Sequence, residues 1–191
     1  MVALGPGPRL ETWIEIDNYG GTGLRDIDED GVPELLHADS ELGYGFAPRC
    51  CFALPEVVQR FDGKEWGIDL ESMKRPPPSR EQIDAWITKL RALDWSTWPE
   101  DRSDDYIAYP LLNDGSRALW ERMVALVYEG NGRVAMELHE AVWPEEPGNK
   151  VDASQHFLEV LEAQSSIWNR LADHQSPPIE ALSMFQSQPL E

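Results

Sequence analysis

Three consecutive prolines, Pro76, Pro77 and Pro78, divide this chain into two parts that cannot share a continuous helix or strand. Each proline fixes φ near about −65° and lacks an N–H donor, so the run ends any hydrogen-bonded element and acts as a stiff linker. Before it, apolar residues recur at every second position; after it, at every third or fourth. The change of period predicts an α+β fold, a small antiparallel β meander followed by three to four helices. A length of 191 residues suits one domain, or two small ones packed together. An apolar fraction of 41% with eight tryptophans excludes a wholly disordered chain.

On the N-terminal side, Leu10, Thr12, Ile14 and Ile16 alternate with Glu11, Trp13, Glu15 and Asp17, as in a strand with one buried face. Glycines at 20, 21 and 23 break it. Further strands are expected over 32–37, 56–61 and 64–70, the last two joined at Asp62-Gly63 as a two-residue hairpin turn. Residues 10–70 thus form the predicted meander.

Beyond the prolines, Ser79 with Gln82 forms a capping box, opening a helix with Ile83, Trp86, Ile87, Leu90 and Leu93 on one face. A second helix, over 114–129, carries the stripe Leu119, Trp120, Met123, Val124 and Val127 and stops at Gly130. A third spans 134–142 ahead of Pro144. A fourth is capped by Asp152 with Gln155 and buries Phe157, Leu161, Trp168 and Leu171. The helical region therefore covers 79–172 and packs on the meander. A tail over 173–191, with Pro177, Pro178 and Pro189, is expected to be mobile.

The charge is lopsided, 16 basic against 35 acidic residues, a formal net charge of −19. A nucleic-acid backbone is bound by lysines and arginines that displace counterions, so this field argues against such a partner and suits divalent cations. No run of about 18 apolar residues is present, so no membrane span is expected. Residues 1–9 lack the apolar centre of a signal peptide. Cys50 and Cys51 are adjacent, which disfavours a disulfide framework, and without neighbouring ligands they make no zinc site.

The most specific feature is the acidic loop over 26–34. Asp26, Asp28, Asp30 and Glu34 stand at its positions 1, 3, 5 and 9, with Gly31 at position 6. Calcium takes six to eight oxygens at about 2.3–2.6 Å, and alternate residues of a tight loop can turn inward to supply them. Asp26, Asp28 and Asp30 would each give a side-chain oxygen. Gly31 permits the reversal that aims the Val32 carbonyl back at the ion, and Glu34 closes the sphere directly or through water. Position 12 is His37 and the flanks read as turn and strand, so the loop is not an EF-hand.

Asp26, Asp28, Asp30, Gly31 and Glu34, followed by Leu35-Leu36, resemble the β-hairpin calcium loops of FG-GAP and VCBS-type repeats. The likeness covers residues 10–70, including the later segment Val58-Gln59-Arg60-Phe61-Asp62-Gly63-Lys64. One copy cannot build a complete propeller. The resemblance implies a non-enzymatic, calcium-stabilised structural or binding module of a bacterial extracytoplasmic protein, the ion stapling the hairpin.

No catalytic constellation stands out. His139-Glu140 matches the start of a zinc-protease helix motif, but position 143 is Trp. No Gly-x-Ser-x-Gly elbow is present, and the glycines at 20, 21 and 23 lack the lysine of a phosphate loop. Two other readings stay open. One is an acidic cytoplasmic protein of the immunity type that covers a basic protein partner. The other is a hydrolase using clustered carboxylates such as Asp104 and Asp105 with Tyr106. His37, close to the loop, is the histidine to examine.

Overall fold

The computed structural model describes residues 22–42, 46, 52–95, 114–144, 150–165 and 167–174. Within them the fold is α+β, a four-stranded antiparallel meander followed by six helices. The strands are β1 (Gly23–Arg25), β2 (Glu34–Ala38), β3 (Glu56–Phe61) and β4 (Trp66–Ile68), in the spatial order β1-β2-β3-β4. The helices are α1 (Leu70–Met73), α2 (Arg80–Arg91), α3 (Asp114–Tyr128), α4 (Gly132–Val142), α5 (Lys150–Gln164) and α6 (Trp168–His174). The expected strand at Leu10 to Ile16, Cys50 and Cys51, and the tail from 175 onward lie outside the described residues.

Register in the sheet matters for everything that follows. Leu35 pairs with Gln59 and Leu36 with Val58, which sets Glu34 at the start of β2 across from Arg60. Side chains directly opposite one another share a face, so an acid and a base meet there. Alternation sends His37 to the other face, where its Nδ1 lies 3.1 Å from the Ala38 carbonyl; it does not join the loop.

The turn between β3 and β4 is one residue later than expected. Phe61 pairs with Trp66, and the Asp62 amide donates to the Glu65 carbonyl at 3.1 Å, so Gly63 and Lys64 form the tip. Asp62 caps the turn from outside, its carboxylate accepting from the Lys64 and Glu65 amides at 2.8 Å each. Those two donors hold its pKa below the usual value. Gly63 takes φ +95°, a left-handed conformation that glycine adopts without penalty.

The residues expected to end the last strand instead begin α1. Asp69 is its N-cap, accepting from the Ser72 amide at 3.2 Å and the Ser72 hydroxyl at 2.7 Å. Past the prolines, Ser79 and Gln82 form the reciprocal capping box that opens α2. The linker is also anchored, because the Arg75 amide donates to the Glu129 carbonyl and Asn131 Nδ2 to the Arg75 carbonyl. Gly130, at φ +78°, ends the turn after α3.

The expected fourth helix is two helices. It begins at Lys150, so Asp152 lies inside its first turn and is not the cap, and it ends at Gln164. Trp168 and Leu171 belong to α6. Ser165 sits at the break, where its hydroxyl accepts from the Ile167 amide at 3.3 Å, a local bond that competes with helix continuation.

One apolar cluster runs through the described residues, joining Val57 and Val58 of β3 to Leu119, Met123, Leu138, Phe157 and Leu171. A buried polar knot crosses it. The Tyr128 hydroxyl donates to Asp39 at 2.5 Å and lies 2.6 Å from Ser165 Oγ, tying the end of β2 to α3 and the α5–α6 break. Burial and the Asp39 charge both push the tyrosine pKa upward, so it stays a neutral donor. No helix among the described residues is long and apolar enough to cross a membrane.

Candidate metal centre

The acidic loop connects β1 to β2, and its own amides shape it. Asp26 accepts from the Asp30 amide at 3.1 Å and the Gly31 amide at 3.0 Å. Asp28 Oδ1 accepts from the Asp30 amide at 3.3 Å, and Asp30 Oδ1 from the Val32 amide at 2.7 Å. These bonds curl the backbone inward, which requires left-handed conformations at Glu29, φ 60°, and Gly31, φ 88°. An added Cβ at Gly31 would meet nothing within 4 Å, so conformation and not space favours glycine there. Ile27 between the acids packs against the core and pins the loop to the body of the protein.

The curl brings Asp26, Asp28 and Glu34 together, with one oxygen of each within 4.8 Å of the others. Oxygens that share a calcium ion at about 2.6 Å can stand up to about 5.2 Å apart, so this spacing admits one ion. Asp30 is not in this group; it faces Val32 and Arg60. Val32 is 46% exposed.

Glu34 is the unusual member. It is 0% exposed, although a buried carboxylate is costly unless its oxygens are paired. Its Oε2 accepts from the Ile27 amide at 2.8 Å. Its Oε1 is buried and accepts no hydrogen bond among the described residues, and the Arg60 Nη2 stands 3.3 Å away. One oxygen of this buried carboxylate lies within 4.8 Å of an oxygen each of Asp26 and Asp28.

The residue missing from the sequence reading is Arg60. Its Nη2 pairs with Asp28 Oδ2, its Nη1 lies 3.4 Å from Asp30 Oδ2, and its Nε donates to Asp69 Oδ2 at 3.0 Å. The Arg60 hydrogen bond is the main cause that lowers the Asp28 pKa. Burial alone would raise that of Asp69; the Ser72 donors and Arg60 outweigh it, and the net shift is downward. Only register shows this, because Arg60 is far from the loop in sequence and meets it through the β2–β3 pairing.

An open cleft of about 730 Å³ adjoins the loop. Ile27, Asp28, Arg60, Asp62, Glu65 and Asp69 line much of it. Besides Asp28 of the loop it holds four acids outside the loop, Asp62, Glu65, Asp69 and Glu71. Asp104, Asp105 and Tyr106 lie outside the described residues. His139 is buried in α4 and stacks on Trp143 at 5.1 Å between ring centres.

No protein-family model, curated protein or solved structure matches this chain.

Proposed function

We propose that the loop binds a divalent cation, calcium by preference, and that the protein is a non-enzymatic structural or binding module stabilised by that ion. The observation that carries this reading is the buried Glu34 carboxylate, which converges with Asp26 and Asp28 within 4.8 Å and whose Oε1 accepts no hydrogen bond among the described residues. A hard cation would stand closer to that oxygen, at about 2.3–2.6 Å, than the Arg60 Nη2 does at 3.3 Å. All-carboxylate donors favour calcium or magnesium over softer metals. Calcium tolerates irregular shells, which suits an open loop better than the strict octahedron magnesium demands.

The ion's role here is to hold the β1–β2 connection. Asp30 and the Val32 carbonyl complete the sphere in this reading, together with water. Few ligands and an exposed setting point to weak affinity, about 10⁻⁴–10⁻³ M, the range of extracellular modules. Together with the resemblance to FG-GAP and VCBS-type loops, that supports an extracytoplasmic location in a bacterial protein.

Calcium at about 100 times its dissociation constant is expected to add about 2.7 kcal/mol of stability. For a chain of this size that raises the melting temperature by about 5–10 °C. Asp28→Ala and Asp30→Ala are expected to remove the rise. Melting curves with calcium and with chelator at matched ionic strength check this, and coincident curves count against the proposal.

A second reading has one observation in its favour. The cleft beside the loop gathers Asp28, Asp62, Glu65, Asp69 and Glu71 around Arg60, a surface suited to a basic protein. Such binding would weaken with salt and ignore chelators, where a calcium module responds to chelator first.

A further inference from the structure

Arg60 pairs with two of the carboxylates that the calcium reading assigns to the ion. Its Nη2 sits on Asp28 Oδ2 and 3.3 Å from Glu34 Oε1, two of the three carboxylates that converge. Its Nε is held separately by Asp69, which the Ser72 amide and hydroxyl fix as the cap of α1. The guanidinium therefore has one hold on the loop and another on a rigid helix end.

We propose that Arg60 is a built-in rival of the cation: guanidinium and metal take the Asp28 and Glu34 oxygens in turn, and metal binding releases the Nη end while Nε stays on Asp69. This rests on the calcium reading of the loop. Charge and space both require the exchange. An ion at about 2.3–2.6 Å from Asp28 and Glu34 would crowd and repel a guanidinium resting on those same carboxylates. Four carboxylates, Asp28, Asp30, Glu34 and Asp69, pair with this one arginine and Asp26 lies beside two of them, so a divalent ion neutralises more charge than Arg60 can. The arginine side chain is 38% exposed, leaving its Nη end water to turn into.

Two consequences follow from the exchange. Without metal, the arginine keeps the loop carboxylates together, so the site exists before the ion arrives. With metal, apparent affinity is reduced by the fraction of time the guanidinium occupies the site. Arg60 thus sets the calcium concentration at which the loop fills.

Calorimetric titration of the metal-stripped protein with calcium chloride tests this on wild type, Arg60→Met and Arg60→Lys. Arg60→Met is expected to bind at least about tenfold tighter than wild type, with Arg60→Lys in between, since an ammonium cannot bridge several carboxylates as a guanidinium does. In wild type, the NMR signal of the Arg60 Nε–H is expected to persist through the titration while the Nη signals move. Equal or weaker binding by Arg60→Met, with wild type binding, overturns the proposal and makes the arginine a support for the metal site. Heat from Arg60→Met alone supports it, the native arginine then excluding the ion altogether. No heat from any of the proteins overturns the calcium reading itself, and this proposal with it. If Arg60→Met does not fold, Arg60→Lys reads the same direction, and no tightening there is the overturning result.

Discussion

A Glu34→Gln variant is expected to lose calcium binding by about 100-fold or more, equivalent to about 2.7 kcal/mol, while keeping its fold. The amide has nearly the volume of the carboxylate, and its oxygen can still accept from the Ile27 amide, as the Glu34 side chain does. What it removes is charge, at a residue that is 0% exposed and whose Oε1 has no hydrogen-bond donor among the described residues. Calcium affinity follows the number of charged oxygens, so a buried carboxylate is costly for the site to lose. Titration of metal-stripped variant and wild type checks the loss, with the chelator-treated melting curve as the control for folding. Unchanged affinity would mean that the buried carboxylate is there for Arg60 alone.

The second large effect concerns packing. Gly115→Ala is expected to destabilise the protein by about 3 kcal/mol, lowering the melting temperature by about 6–12 °C. In an exposed helix this substitution normally stabilises, because alanine is the better helix former by about 1 kcal/mol. At Gly115 the sign reverses. A Cβ there would fall on the body of the Trp95 indole, 2.6 Å from its Nε1, where no flexible side-chain end can yield. The ring is held by its Nε1 donating to the Leu90 carbonyl at 3.0 Å and by an edge contact with Trp143 at 5.7 Å. Moving it strains both. Thermal melting of the variant decides the sign, and an increase would show that the indole can move freely.

How far the sequence anticipates this structure depends on the range of the interaction. Ser79 and Gln82 are three residues apart, and their capping box forms as the local pattern predicts. The stripe Leu119, Trp120, Met123, Val124 and Val127 is fully buried, since helical period alone sets that face. The strand at Glu56–Phe61 likewise follows from its own residues. Short elements escaped because their causes are single side chains. Asp69 with Ser72 nucleates the brief α1 where a strand was expected to continue, and Ser165 divides what reads as one helix. The turn shifted by a residue because the Asp62 carboxylate caps it from outside.

The site divides the same way. Loop spacing pointed to Asp26, Asp28 and Glu34, which converge, and to Asp30, which turns toward Arg60 and lies outside that group. Arg60 itself was out of reach, because its partners are fixed by the pairing of Leu35 with Gln59. The available clue was an arginine in a strand whose antiparallel neighbour begins with a glutamate. Using it required the register first.

Crystals grown with calcium at about 10 mM, well above the range of weak extracellular sites, give the most direct test of the central claim. The account predicts an electron-density peak about 2.3–2.6 Å from oxygens of Asp26, Asp28 and Glu34, with anomalous signal for calcium. Density showing the Arg60 guanidinium still seated on Asp28 and Glu34, with no ion among the three carboxylates, would contradict it.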